Sequence, residues 1–575
     1  MKTRKQFIKT FPARAVALAL GLFVALAALP LHAQYFYQDV YELNCSVGGC
    51  LPYDFGQLIQ WTDGNLYGTA TSGGQYSDGT IFDVSPGAAE NDVWQFNGTL
   101  GGSYPGAALT LRPDNQFFGV TPQGGDNAYG GVFVFLPGTG MTALHYFNGT
   151  DGQDTETPLV QARDGNFYGF TNSLTTYRVT YPGGVFQPLR GTVPASPSGP
   201  LVAGLDGYLY GTSSKGGTSN LGTIFRMTTA GVVEVIYSFT GGLDGAAPKG
   251  LLQASDGNFY GTTNQGGANG TGGVFQYKFT IAVKSGHVLN PLYSFTSVNP
   301  NSLQNADGAN PLAGLVAASD GYLYGSTSDG GSNGCGTLFR ISTGGAFTAL
   351  DNFPNYWNCG KTNIGLNTGT PFSALVQHTN GCFYGTTYSG GTNLSNFNGG
   401  NVYSLCPNPT TTPNLTIVAG PIWVSPEAKV TIRGDNLDEI VNVTFAGVTA
   451  AFQPGSPTYL TATVPSEAVD GPIAVTVINS LGGEQTLQSQ QSMHILPVIT
   501  NLDPTSGPVG QEVGIVGGGF AGATKVTFGG VKCTSFTVAT PSLIQAYVPA
   551  GAKTGKVAVT TPNGSATSKQ KFTVN

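Results

Sequence analysis

Between residues 57 and 405, apolar and polar positions follow one another in a fixed order. A short apolar run leads into an Asp-Gly pair. A second apolar run follows, then a glycine-rich polar stretch, then two further apolar runs. The copy that starts at residue 248 is the cleanest. Its runs are 248–254, 258–263, 273–280 and 289–296, with Asp256-Gly257 after the first and Gly266-Gly267 after the second. Runs of this length, rich in aromatic and β-branched residues and bounded by Gly, Asp and Asn, predict strands. The Asp-Gly pair predicts a tight turn, because Gly accepts a positive φ and Asp bonds its own backbone. Each unit therefore reads as four antiparallel strands.

The turn and the second strand together spell D-G-x-[Leu/Phe]-Tyr-Gly. This hexapeptide starts at Asp63, Asp164, Asp206, Asp256 and Asp320, with looser copies at Asp114 (DNQFFG) and Asn380 (NGCFYG). The starts lie 42 to 64 residues apart. A four-stranded unit recurring at roughly 40–50 residues is the signature of a propeller blade. Seven copies predict an all-β fold built on a seven-bladed β-propeller over residues 34–407. The seventh copy stops after its third strand, at 401–406, while a strand at 38–44 lies unclaimed before the first copy. The expected repair is ring closure, with the N-terminal strand completing the seventh blade and removing an open seam.

The repeat ends at Cys406. A stiff, polar, Pro-rich linker runs from Pro407 to Pro413. Two segments of short strands with Pro/Gly turns follow, 408–496 and 497–575, and predict two immunoglobulin-like β-sandwiches. At the other end, Lys2, Arg4, Lys5, Lys9 and Arg14 precede an apolar run over 15–29 and the small-residue end Leu31-His32-Ala33. That pattern predicts a secretory signal over 1–33, too short for a membrane span. The expected location is secreted or surface-associated, with the periplasm as an alternative.

Charged residues make up 10% of the chain and the formal net charge is −7. No basic patch is evident, so nucleic acid is not an expected partner. The seven cysteines fit an oxidising compartment. Their places in the predicted units suggest the pairs Cys382–Cys406, Cys335–Cys359 and Cys45–Cys50. Nothing has the spacing of a zinc site, and neither metal nor cofactor is expected.

Two resemblances add to this reading. The phrases LLQASDGNFYGTTNQGG and LYGSTSDGGSNGCGTLFRI resemble the GloVer (Gloeo–Verruco) tandem-repeat family of exported bacterial proteins. That likeness implies export and a repeat architecture, and carries no reaction. Pro504-Thr505-Ser506-Gly507-Pro508, the stretch 517–520 and VTFGG at 526–530 resemble IPT/TIG domains, which serve as spacers and interaction modules in bacterial surface proteins. Residues 413–496 are similar to them with a degraded opening, Gly420-Pro421-Ile422-Trp423-Val424-Ser425.

Candidate chemistry is sparse. The repeated Asp is turn chemistry, and the repeated Tyr is packing between blades. Gln60, Gln161, Gln253 and Gln377 stand three residues before the turn Asp or Asn. Facing the channel, they form a partial amide ring for water or a sugar hydroxyl; otherwise they satisfy channel waters or backbone groups. The long loops after blades five and six hold Asp307, then Asn355, Tyr356 and Trp357. Aromatic faces beside amides suit carbohydrate. The acidic loop Asp151, Asp154 and Glu156 lacks the oxygen spacing of a calcium site.

The expectation is a non-catalytic binding protein whose partner is an extracellular glycan or a protein. A carbohydrate-active hydrolase or lyase is the alternative, and needs converging carboxylates. A structural surface or matrix component is a third possibility.

Overall fold

A computed structural model describes residues 35–43, 49–50, 56–86, 90–278, 288–354, 371–387, 400–407, 418–420, 423–435, 437, 439–478 and 482–575. The signal-like residues 1–33 lie outside them. The described residues are all strands, turns and loops, and include no helix long and apolar enough to cross a membrane.

Seven four-stranded sheets occupy the repeat region. The first comprises Ile59–Gln60, Leu66–Ala70, Thr80–Val84 and Glu90–Gln95, hydrogen-bonded in chain order. The next five follow the same order. The seventh takes Val376–Gln377, Phe383–Thr387 and Asn401–Pro407 from its own unit, and its fourth strand is Tyr35–Glu42. That strand runs antiparallel to the third, with Tyr35 opposite Pro407 and Glu42 opposite Asn401. Cys382 and Cys406 form a disulfide in this sheet, with Cα atoms 4.2 Å apart. Cys335 is also disulfide-bonded. Cys359 and Cys45 fall outside the described residues, as does the side chain of Cys50. Cys533 is a buried free thiol.

The second strands are buried on both faces, because each sheet packs on its neighbours. The contact is the same at every seam. The aromatic residue at the hexapeptide's fifth position lies against the Leu or Phe at the fourth position of the next unit. Ring centroids are 5.4 Å apart for Tyr67–Phe117, 4.6 Å for Phe118–Phe167, 4.3 Å for Tyr210–Phe259 and 4.1 Å for Tyr324–Phe383. Tyr168 shares a core with Leu209, Tyr260 with Leu323, and Tyr384 with Leu66. The last of these joins the seventh sheet to the first.

The turn Asp fixes each Tyr from the other end. Its carboxylate accepts the hydroxyl of the Tyr four residues on at 2.6 to 2.8 Å in five units. It also accepts the backbone N–H two residues on. The hexapeptide's two glycines do different work. Gly64 sits at φ +87° in the turn. Gly68 leaves room for Phe82 on the neighbouring strand, whose ring lies 2.5 Å from where a Cβ would be.

Residues 418–495 and 498–574 form two modules of one design. Each has a four-stranded and a five-stranded sheet enclosing its own core. In each, a two-residue strand pairs in parallel with the last strand: Trp423–Val424 with His494 and Ile495, and Ser506–Gly507 with Thr573 and Val574.

Burial, then the bond to the Asp carboxylate, raises the hydroxyl pKa of Tyr67, Tyr168, Tyr210 and Tyr260, the last to about 12. A folded value above the ordinary 10.0 gives stability that is complete below pH 10 and is lost as pH rises toward and beyond 12. Alkaline titration is expected to show tyrosinate absorbance rising together with loss of β circular dichroism over this window. Ionisation of all the tyrosines near pH 10 in an intact fold would contradict it.

Candidate functional site: a cavity where the first C-terminal module covers the sheet ring

The first, inner strands of the second to sixth sheets line one cavity, and the first C-terminal module meets the rim of Asp-Gly turns at its end. Among the described residues, its hydrogen bonds to the ring fall on that rim. Thr458 donates to the Thr62 carbonyl at 2.5 Å. Asn115 donates to Thr431 at 3.0 Å, and Thr379 to Asp435 at 2.9 Å. Arg163 lies over the Trp423 ring at 5.1 Å and donates to the carbonyls of Pro562 and Asn563. It thereby ties the ring to both modules. The modules hold each other through Asn563, which donates to Asp470 at 2.6 Å. Burial pushes the Asp470 carboxyl up, but bonds from His494, the Ile495 N–H and Asn563 outweigh it and leave the group low.

Between ring and module lies a cavity of about 570 Å³, within the size range of small-ligand sites. The ring contributes Arg112, Asn115, Gln161, Gln253 and Ser255 among apolar inner-strand residues such as Val202 and Val316. The module contributes Trp423, Thr431, Arg433, Gln491 and His494. Among the described residues that line it, none is Asp or Glu.

Arg112 is present because the second unit departs from the repeat. Phe118 stands where the other units have Tyr, so Asp114 has no phenol to hold. Arg112 takes that carboxylate at 2.8 Å and covers the Phe118 ring at 4.8 Å. Arg433 comes from the strand Lys429–Arg433. Val430 and Ile432 of that strand enter the module's core, while Thr431 and Arg433 face the ring. Arg433 is only 3% exposed. Burial pulls its guanidinium down to about 10, still cationic at neutral pH.

The predicted amide ring is largely spent on the fold. Gln60 accepts the Thr379 N–H at 3.2 Å, Gln253 the Leu205 N–H at 2.9 Å, and Gln377 the Ser319 N–H at 3.0 Å. In each case the donor is the residue before the turn Asp or Asn of the preceding unit, so the amides clasp neighbouring sheets. Gln161 faces Pro113 at the matching place, which has no N–H to give. It bonds only the Gly165 carbonyl of its own turn, at 3.0 Å. Gln161 and Gln253 line the cavity; Gln60 and Gln377 do not.

Asp307, expected in an open ligand loop, is buried and fully engaged. It accepts from the Tyr293 hydroxyl at 2.7 Å, the Thr296 N–H at 3.0 Å and the Thr296 hydroxyl. It pins its loop and offers no free oxygen to a ligand. Asn355, Tyr356 and Trp357 lie outside the described residues. In the acidic loop, Asp151 is taken by His145 at 2.8 Å. No group of three or more His, Cys, Asp or Glu side chains among the described residues could hold a metal.

The clasps can be ranked by mutation. Gln377→Leu strands the Ser319 N–H and should cost about 1–3 kcal/mol, whereas Gln161→Leu strands no neighbouring N–H and should cost under about 1 kcal/mol. Urea unfolding of the two variants measures the difference; equal losses would show that the amides do not act between sheets.

No curated protein matches the chain in sequence. Solved structures do resemble it at low identity. Virginiamycin B lyase from Staphylococcus aureus is 13% identical over 65% of this chain and 99% of its own, with a TM-score of 0.41. PorZ, a surface component of the type-IX secretion system of Porphyromonas gingivalis, is 14% identical over 78% of this chain and 60% of its own, at 0.42. A fungal alcohol oxidase of the AA5 family is 12% identical over 80% of this chain and 99% of its own, at 0.40. The IPT/TIG domain matches residues 419–495 and 497–574. The Gloeobacter/Verrucomicrobia repeat matches 49–187 and 174–403, more than half of the sequence. With its hexapeptide units and paired C-terminal modules, the chain belongs to the Gloeobacter/Verrucomicrobia repeat family and carries two IPT/TIG domains.

Proposed function

We propose that this is a secreted or surface-associated binding protein without catalytic activity. Its body is a seven-bladed β-propeller over residues 34–407, closed by the N-terminal strand after removal of the 1–33 signal. Two Ig-like modules, 408–496 and 497–575, follow. Its ligand is an extracellular glycan, held in the cavity between the propeller channel and the first module.

One observation carries this reading. Among the described residues, the wall of that cavity offers arginines, amides, hydroxyls and an indole, and no carboxylate. Hydrogen-bond donors around an apolar floor suit recognition of sugar hydroxyls. Hydrolysis of a glycosidic bond commonly asks for two carboxyl groups flanking it. The IPT/TIG domains and the signal-like N-terminus support a place outside the cytoplasm.

A glycan array with the purified chain is expected to retain ligands without releasing product. Ala317→Trp, which fills the cavity from an inner strand, should weaken retention by at least about tenfold, or 1.4 kcal/mol. Trp357→Ala, in the loop after the sixth blade, should leave it unchanged. New reducing ends in the array wells would overturn the binding assignment in favour of a hydrolase. Loss of retention in Trp357→Ala alone would move the site to that loop.

A further inference from the structure

Arg433 is a buried cation without an anion. Its Nε is enclosed and unpartnered, and its guanidinium forms no hydrogen bond or ion pair with any described residue. Other shielded arginines in this chain have partners: Arg112 has Asp114, Arg340 has Asp320, and Arg163 has the carbonyls of Pro562 and Asn563. Asp435, two residues along from Arg433, is held by Thr379 instead. Burying an unpaired charge is costly, and a fold gains from a counter-ion at such a place.

The position of Arg433 suits an incoming anion. Thr431 on the same strand face bonds Asn115 of the ring, so Arg433 is held at the seam and lines the cavity. No carboxylate among the described lining residues competes for it. The Trp423 indole N–H is likewise buried and unpartnered. Asn115, Gln161 and Gln491 supply neutral hydrogen-bonding groups on the remaining wall.

Resting on the binding reading above, we infer that the cavity takes an anionic mono- or disaccharide, whose acidic group pairs with the Arg433 guanidinium while its hydroxyls meet the amides around it. A guanidinium receives a carboxylate or a sulfate ester through two parallel N–H bonds, which a neutral sugar cannot replace.

Isothermal titration of the full chain with digalacturonate, sulfated galactobiose and neutral galactobiose tests this. At least one acidic ligand should bind about tenfold or more tightly than the neutral one. Preference between the two acids identifies the carboxylate or the sulfate as the recognised group. Arg433→Met should bring acidic binding down to the neutral level. The free Arg433→Met protein should melt at the same or a higher temperature, because the substitution removes an unpaired buried charge. A marked fall in its melting temperature would show a structural guanidinium and overturn the inference. Equal binding of neutral and acidic ligands, or an unaffected Arg433→Met variant, would overturn it while leaving the binding function intact. Failure of all three ligands, with the array also empty, would remove both.

Discussion

The bond between a turn carboxylate and a tyrosine hydroxyl four residues on is what the ring of sheets depends on. In five units it closes the turn and fixes the tyrosine whose ring packs against the next sheet. One side chain thus links local geometry to packing between units. A phenol suits the task because its body is apolar and its tip is polar. The seam needs the body; the rim needs the tip. At the seventh unit Asn380 replaces the carboxylate and donates to Tyr384 at 3.0 Å, so the bond survives with its direction reversed.

Much of this was legible in the sequence, because the determinants are local and repeated. Strand runs, the Asp-Gly turn and the hexapeptide spacing all act within one unit. What repetition could not reveal is what one unit does to another. The amides Gln60, Gln253 and Gln377 read either as a ring facing the channel or as groups that satisfy water or backbone; their acceptor oxygens take an N–H from the preceding unit. The clue was available in Pro113: a clasp that needs a backbone N–H cannot form there. Asp307 read as an open loop acid because its partners, Tyr293 and Thr296, belong to the strand before the loop and to its beginning. Arg433 alternates with core residues in its strand, a pattern that ordinarily turns a side chain to solvent. Its burial comes from a second domain, which alternation within a strand cannot report.

Departures from pattern proved more informative than the pattern. Phe118 breaks the tyrosine series and thereby releases Asp114 to Arg112. The opening of the first C-terminal module departs from the P-x-S-G form, and Trp423 occupies the place that Ser506 takes in the second. The substituted residue is the one that meets Arg163 and the cavity. The edge at which this module departs from the P-x-S-G form is the edge that meets the ring.

Seven near-equivalent turns on one rim raise a problem of registry. A covering domain with no such symmetry could settle at any of seven azimuths differing little in energy. The rim is not uniform where it is touched: Thr62, Asn115, Arg163 and Thr379 occupy four different turns and present four different chemistries. Together they act as a key that admits one rotational setting. The irregular copies of the repeat therefore encode an orientation, and through it the composition of the chamber that the two domains enclose.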